Sequence, residues 1–226
     1  MTIKLLVFDV DGTLAPTEEP IPRTVSEKIV HFEHLGFQIV FISGRTASYL
    51  AGLARGIGLK KPLVAGENGG VIFNPATKWE KTLAEIPRET AQIIKEALFK
   101  EFEGLWFQPN QTMLTAAPRD LSQIDHLYQT VLTLPAVKEN NYKINKYEDA
   151  VEIMPQENSK GQALAVIKNI FGVKKDEIVV FGNTIVDLPM KDETQYFFII
   201  GEKIKDESIQ NFGDMKEALV YLEKLI

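Results

Sequence analysis

Apolar residues in this chain come in short continuous runs, separated by stretches in which they recur every three or four positions. The runs at 3–8, 37–42, 63–65, 178–181 and 196–200 read as strands of a buried parallel sheet, because a strand covered on both faces has no polar side to alternate with. Between the first two, Val25, Ile29 and Phe32 fall at i, i+4 and i+7 and predict a helix from Arg23 that Gly36 is placed to end. A second helix is expected over 46–57. Leu164, Ile167 and Ile170 predict another that opens at Lys160 and stops near Gly172, and Met215, Ala218, Leu219 and Leu222 mark the last. Strands and helices in this alternation predict an α/β fold with a Rossmann-like, doubly wound parallel sheet.

The alternation breaks after 63–65. Residues 71–73 and 79–81, with Asn74, Pro75, Ala76 and Thr77 between them, read as a hairpin. Beyond it the pattern becomes helix, strand pair, helix, strand pair. Pro87 starts a helix with Ile93, Ile94, Ala97 and Leu98 on its apolar face, and 105–107 pairs with 112–115. Asp120 opens a helix carrying Ile124, Leu127, Tyr128 and Val131, and 142–144 pairs with 150–153. The expectation is a core domain of 1–82 and 155–226 into which a small α+β domain, 83–154, is inserted. Trp106 and Phe107 are expected to pack inside that insert and not to form a substrate platform.

Composition narrows the partners. A length of 226 residues allows a sizeable core in one or two domains. A net charge of -6 argues against nucleic acid, whereas an anionic small molecule remains compatible, since a local cation overrides the global sign. Cysteine is absent, which excludes disulfides, thiol catalysis and thiolate metal sites and fits a cytosolic protein. There is no signal-peptide pattern and no apolar run long enough to span a bilayer, so a soluble, cytoplasmic protein is expected. His31, His34 and His126 lie in helical stretches without metal-ligand spacing. No heptad or broad apolar helix face indicates an oligomeric state.

Candidate chemistry gathers where the strands end. The first run leads into Asp9, Val10, Asp11, Gly12, Thr13 and Leu14, an Asp-Gly turn that leaves two acids at the carboxyl edge of the sheet, where such folds bind ligands. Asp9 is placed to attack phosphorus as a carboxylate nucleophile, and Asp11 to protonate the leaving oxygen and later accept a proton from water. Like charges so close need a counter-ion. A hard divalent cation, Mg2+, suits both the acids and a phosphate. A turn without chemistry is the alternative for an Asp-Gly taken alone. The second strand delivers Ser43, Gly44 and Arg45 to the same edge: Ser43 and the Gly44 amide either hold a phosphate oxygen, or Ser43 caps the next helix. Arg45 reads as a solvated or ion-paired helix residue without a chemical role. Lys160 at a helix start opposes the macrodipole, which a nearby phosphate or aspartyl anion would explain; a solvated surface lysine is the alternative. The glycines of 66–70 allow close backbone approach, a hinge or an ordinary loop. Pro16, Pro20 and Pro22 predict a loop over the crevice at 15–22.

The string from Asp9 to Leu14 after a buried strand resembles the signature of the haloacid dehalogenase-like hydrolase superfamily. Ser43, Lys160 and the turn at 182–187 keep the superfamily's order of signals over the whole chain. Glu67-Asn68-Gly69 and Ser159-Lys160-Gly161 are similar to the Cof-type and sucrose-phosphatase-like branches, and the insert resembles their larger, C2-type cap. Length and compact cap are most like archaeal-type phosphoglycolate phosphatases. The resemblance implies a magnesium-dependent phosphatase that hydrolyses a small phosphorylated metabolite, of the phosphoglycolate or sugar phosphate class, through an aspartyl-phosphate intermediate. It implies that Asp9 is nucleophile and metal ligand, and that Asp11 is acid/base and lends its backbone carbonyl to the metal. It further implies that Thr13, Ser43, Gly44 and Lys160 orient the nucleophile and the phosphate, and that Asn183 and Asp187 complete the Mg2+ site. These branches read Gly-Asp-x-x-Asn-Asp where this chain has Gly182-Asn183-Thr184-Ile185-Val186-Asp187. Asn183 keeps an oxygen but removes a charge, and Val186 cannot hydrogen-bond, so weakened metal affinity with retained chemistry is expected. A phosphometabolite-binding protein without turnover and a sugar phosphomutase are the alternatives.

Overall fold

The structure, a computed structural model, describes residues 3–17, 19–204, 206 and 208–226; Glu18, in the expected proline-rich loop, lies outside them. Along the chain the strands are β1 (Leu5–Phe8), β2 (Gln38–Ile42), β3 (Leu63–Gly66), β4 (Val71–Asn74), β5 (Trp79–Thr82), β6 (Trp106–Phe107), β7 (Leu114–Ala117), β8 (Lys143–Lys146), β9 (Val151–Met154), β10 (Ile178–Gly182), β11 (Tyr196–Ile200) and β12 (Gln210–Phe212). The helices are α1 (Arg23–His34), α2 (Ala47–Gly56), α3 (Arg88–Glu101), α4 (Ile124–Thr133), α5 (Pro135–Glu139), α6 (Lys160–Phe171) and α7 (Met215–Leu225). The chain forms two compact units, Met1–Lys81 with Ser159–Ile226, and Thr82–Asn158.

The larger unit is organised by a sheet of order β12-β11-β10-β1-β2-β3-β4-β5, parallel from β12 to β3 and antiparallel at β3–β4. β1 lies between β10 and β2, with Phe8 level with Phe181 and Phe41. Alternate residues therefore stack into one apolar layer. Phe8 lies flat on Phe181 at 4.9 Å and meets Phe41 edge-on, and α1, α2 and α7 cover the layer with Val25, Ile29, Phe32, Leu50, Ala54 and Leu219. The intervening Leu5, Val7, Val40, Ile42, Ile178 and Val180 are buried as well, so the sheet is covered on both faces, the physical reason its strands read as unbroken apolar runs. α6 ends, as its sequence predicts, at Gly172 in the left-handed conformation.

The smaller unit is a four-stranded antiparallel sheet of order β6-β7-β9-β8. Its core joins Ile94 and Leu98 of α3 and Leu127 and Val131 of α4 to Leu114, Ala116, Val151 and Ile153. Two expectations fail here. Ile93 is 58% exposed, because the buried stripe of α3 runs through Ile94 and Leu98, one turn apart, and its neighbour projects about 100° away. Trp106 is 56% exposed while Phe107 packs on the core, since neighbouring strand residues face opposite ways. The insert continues to Asn158 because that buried side chain donates from Nδ2 to the Ala84 carbonyl (3.0 Å), joining the two linking segments. α5 and β12 were not legible: α5 is little more than one turn, and β12 buries only Phe212 of its three residues.

Candidate active site

β1 ends one residue before Asp9, whose backbone N–H still donates to the Phe181 carbonyl (3.0 Å). The side chain is buried and held at both oxygens: Oδ1 accepts from Lys160 Nζ at 2.7 Å and Oδ2 from the Thr13 hydroxyl at 2.7 Å. Thr13 reaches back because the chain turns at Gly12, where φ is +79° and a Cβ would lie 2.0 Å from Asn183 Nδ2. Only glycine satisfies both conditions.

Lys160 is buried, not solvated. Ser159 caps α6 by accepting from the Gln162 amide, and Lys160 Nζ bridges Asp9 Oδ1 and Asp187 Oδ1, the latter at 2.6 Å. Asp187 Oδ2 in turn accepts from the amides of Asn183 and Thr184, each at 2.9 Å, and from the Thr184 hydroxyl. This closes the 182–187 turn on itself. Burial pushes the Asp9 carboxyl up, to about 6, against the opposing pull of Lys160 and with the Asp187 charge adding to it. For Asp187 the same burial is outweighed by Lys160 and the turn amides, which hold its carboxyl below the usual range. Burial alone would lower Lys160, but Asp187 and Asp9 hold its ammonium above its ordinary value. With both acids ionised, the triad keeps one uncompensated negative charge.

Ser43, Gly44 and Arg45 follow β2 at the same sheet edge. Ser43 is buried, its Oγ accepts from the Arg45 amide (3.2 Å), and Thr46, not Ser43, caps α2 by accepting from Tyr49 N–H. The hydroxyl of Ser43 thus keeps its proton for donation. Of the two sequence readings of Arg45, the structure shows the ion-paired one: Nε and Nη2 fork onto Asp11 Oδ2 and Oδ1, both at 2.9 Å, with the guanidinium over the Tyr49 ring. The signal was in the topology, since the loops after two adjacent parallel strands carry Asp11 and Arg45 three and four residues past the paired Phe8 and Phe41. The segment 66–70 serves close backbone approach. A Cβ on Gly66 would meet the Ala47 amide nitrogen at 2.3 Å, and one on Gly69 the Ser159 carbonyl at 2.6 Å. Between them Glu67 and Asn68 adopt φ of 57° and 53°, a left-handed pair that costs about 1–2 kcal/mol per residue. Their amides donate to the Arg45 and Ser43 carbonyls, so the turn ties the Ser43 loop to the start of α6.

Among the described residues no group of three or more His, Cys, Asp or Glu converges on one point. The Asp11 carboxylate is taken by Arg45, and that of Asp187, expected from the resemblance to complete the ion site, is instead engaged at both oxygens by Lys160 and the turn. The oxygen atoms that suit a hard cation are the remaining lone pairs of Asp9 and the amide oxygen of buried Asn183, and the triad beside Asp9 carries a net negative charge. Such donors are chemically compatible with a divalent ion, with Asp9 the one carboxylate not fully engaged.

The chain matches the family described as haloacid dehalogenase-like hydrolase over residues 6–147 and 119–207. It is 29% identical over 198 residues to a phosphoglycolate phosphatase of Thermoplasma volcanium, covering 83% of this chain and 80% of that one. To the phosphoglycolate phosphatase of Staphylothermus marinus it is 24% identical, covering 85% and 83%. Among solved structures, a haloacid dehalogenase-like hydrolase from Bacteroides thetaiotaomicron superposes with a TM-score of 0.83 at 16% identity over the whole of both chains. The C-terminal domain of C. albicans trehalose-6-phosphate phosphatase gives 0.75 at 18% identity, covering 99% of this chain and 92% of that one. The chain belongs to the haloacid dehalogenase-like hydrolase family.

Proposed function

We propose that this chain, a phosphoric monoester hydrolase by its family and its phosphatase relatives, cleaves a small phosphorylated metabolite through an aspartyl-phosphate on Asp9, with Mg2+ as its divalent ion. The observation that carries the reading is Asp9 itself, a buried carboxylate at the carboxyl end of the central strand, held by a lysine on one oxygen and a threonine on the other. With its carboxyl near 6, Asp9 is ionised at neutral pH and acts as the nucleophile. Asp9, the Asp11 carbonyl and Asn183 would hold the ion, which when bound neutralises phosphoryl oxygens.

Attack forms a bond from an Asp9 oxygen to phosphorus as the ester P–O bond breaks, and Asp11 gives its proton to the leaving oxygen. A water molecule then attacks the same phosphorus, Asp11 takes its proton, and inorganic phosphate leaves with Asp9 restored. Lys160 keeps the attacking carboxylate aligned, Thr13 fixes its rotamer, and the Ser43 hydroxyl with the Gly44 amide receives a phosphoryl oxygen. Because both Asp11 oxygens accept from Arg45, neither carries a proton in that arrangement; donation requires Asp11 to turn away and take up a proton from water first, and Arg45 sets the resting orientation of the side chain. The phosphoglycolate phosphatase relatives, the absence of cysteine and the acidic net charge support a cytoplasmic enzyme that acts on a small phosphorylated acid or sugar and has no nucleic-acid partner.

The test is magnesium-dependent release of phosphate from p-nitrophenyl phosphate. Asp9→Asn is expected to lower the rate by about 10³ or more, the scale of losing a covalent nucleophile, with the circular dichroism of the folded chain unchanged. Turnover that survives this substitution would overturn the mechanism.

A further inference from the structure

Lys160 reaches Asp9 from a helix turn that is held on two sides. At 3.6 residues per turn, Ser159 and Ala163 share one face of the first turn of α6, Gly161 faces about 180° away, and Lys160 projects about a quarter turn from each. Both faces meet backbone. On the first, Gly69 comes so near that an added Cβ would lie 2.6 Å from the Ser159 carbonyl oxygen and 2.7 Å from Ala163 Cβ. On the second, a Cβ on Gly161 would lie 2.4 Å from the Pro189 carbonyl oxygen. Gly69 follows β3 and Pro189 follows β10, strands that stand on either side of β1 in the sheet. The lysine is therefore suspended between two loops beside the strand that leads into Asp9, and its second partner, Asp187, comes two residues before Pro189.

Glycine inside a helix is disfavoured, since it has the most backbone freedom to lose. At position 161 the nearness of Pro189 explains it. Carbon and a carbonyl oxygen do not approach within about 3.0 Å, so any larger residue there would move the turn off Pro189 by about 0.6 Å or more. Lys160 moves with the turn. Its bond to Asp187, 2.6 Å long, would then exceed the range of charge-assisted hydrogen bonds, and Asp9 Oδ1 would lose the partner that aligns it. We propose that Gly161 and Pro189, with Gly69 opposite, are positioning residues of the reaction: their backbone contact fixes the reach of Lys160 and, through it, the direction in which Asp9 faces phosphorus. Ser43 and Gly44 follow β2 on a different loop, so the contact governs the rate of attack and not the binding of phosphate. The inference rests on the phosphatase reading, since the alignment of Asp9 sets a rate only where Asp9 attacks.

The test measures kcat and KM for p-nitrophenyl phosphate with Mg2+, and the melting temperature, in the full chain and its variants. Gly161→Ala should lower kcat about tenfold to a hundredfold, the scale of a misplaced catalytic group, with KM within about twofold. Gly172→Ala is the matched control. It strains the far end of the same helix, where φ is +62° and no atom lies within 4 Å of the added Cβ, and should lower the melting temperature while leaving kcat within about twofold. Pro189→Gly frees the φ that the proline ring fixes; Pro189 is exposed, so this variant reports on positioning even where Gly161→Ala fails to fold, and kcat should fall about threefold or more. In Lys160→Met the same two substitutions should change the residual rate by less than about twofold, because the group they position is gone. Where that background shows no turnover, the comparison with Gly172→Ala decides. Parent kcat in both contact variants, an equal loss in Gly172→Ala, or an undiminished effect without Lys160 would overturn the inference. Failure of the unaltered chain to release phosphate would instead remove the phosphatase reading beneath it.

Discussion

Removing the ammonium of Lys160 is the perturbation whose size the structure defines best. In Lys160→Met two buried carboxylates lose a donor at 2.7 and 2.6 Å, and nothing replaces its charge. Breaking a buried ion pair from one side costs about 3–5 kcal/mol, because the remaining charge is neither solvated nor paired. The pH dependence follows from the signs. Asp9 already sits at about 6 against an ordinary 3.8, so the folded chain binds a proton that the unfolded chain has released. Such a group lowers stability as pH rises from about 4 to about 6, by about 3 kcal/mol at about 1.36 kcal/mol per pH unit. Without Lys160 the Asp9 carboxyl moves further up, and the falling limb of stability extends above pH 6. Asp187, held below its ordinary value in the parent, loses its largest favourable charge partner at either pH. The variant should therefore be destabilised by about 3–5 kcal/mol at pH 8, and by clearly less, though still measurably, at pH 5. Urea unfolding followed by far-ultraviolet circular dichroism measures this better than intrinsic fluorescence, since Trp79 and Trp106 are both exposed. A loss below about 1 kcal/mol, or one that grows towards low pH, would refute the buried-triad reasoning.

Asn183→Asp restores a carboxylate to the candidate cation site and should tighten Mg2+ activation of the phosphatase about tenfold or more; half-saturation at the same or a higher Mg2+ concentration than in the parent would refute the weakened-site reading. Gly66→Ala drives a Cβ to 2.3 Å from the Ala47 nitrogen, and because that neighbour is backbone the midpoint of urea unfolding should fall by the equivalent of about 2 kcal/mol or more. Ile94→Ala and Ile93→Ala, neighbours on α3, should differ sharply, with the buried residue costing about 2–5 kcal/mol and the exposed one within about 0.5 kcal/mol, as read from unfolding of the intact chain.

The order of apolar runs and helical spacings carried the class of fold and the existence of an inserted unit, because burial on two sheet faces demands unbroken runs and burial on one helix face demands a period near 3.6. Asp9, Thr13, Ser43 and Lys160 were readable as candidates because each stands at a strand end or helix start, positions that local pattern marks. Tertiary structure alone decided which charge meets which. Lys160 lies 151 residues from Asp9 and Arg45 lies 34 from Asp11, and the pairing of each cation depends on how loops from different strands meet over the sheet edge. It also decided that Ser43 is not a helix cap, that Ile93 and Trp106 face outward, and that glycines 66 and 69 exist for close contact. Hydrophobic periodicity is a one-dimensional signal that burial imposes on every element, whereas hydrogen bonds and ion pairs act over about 3 Å and register only the distances that folding creates.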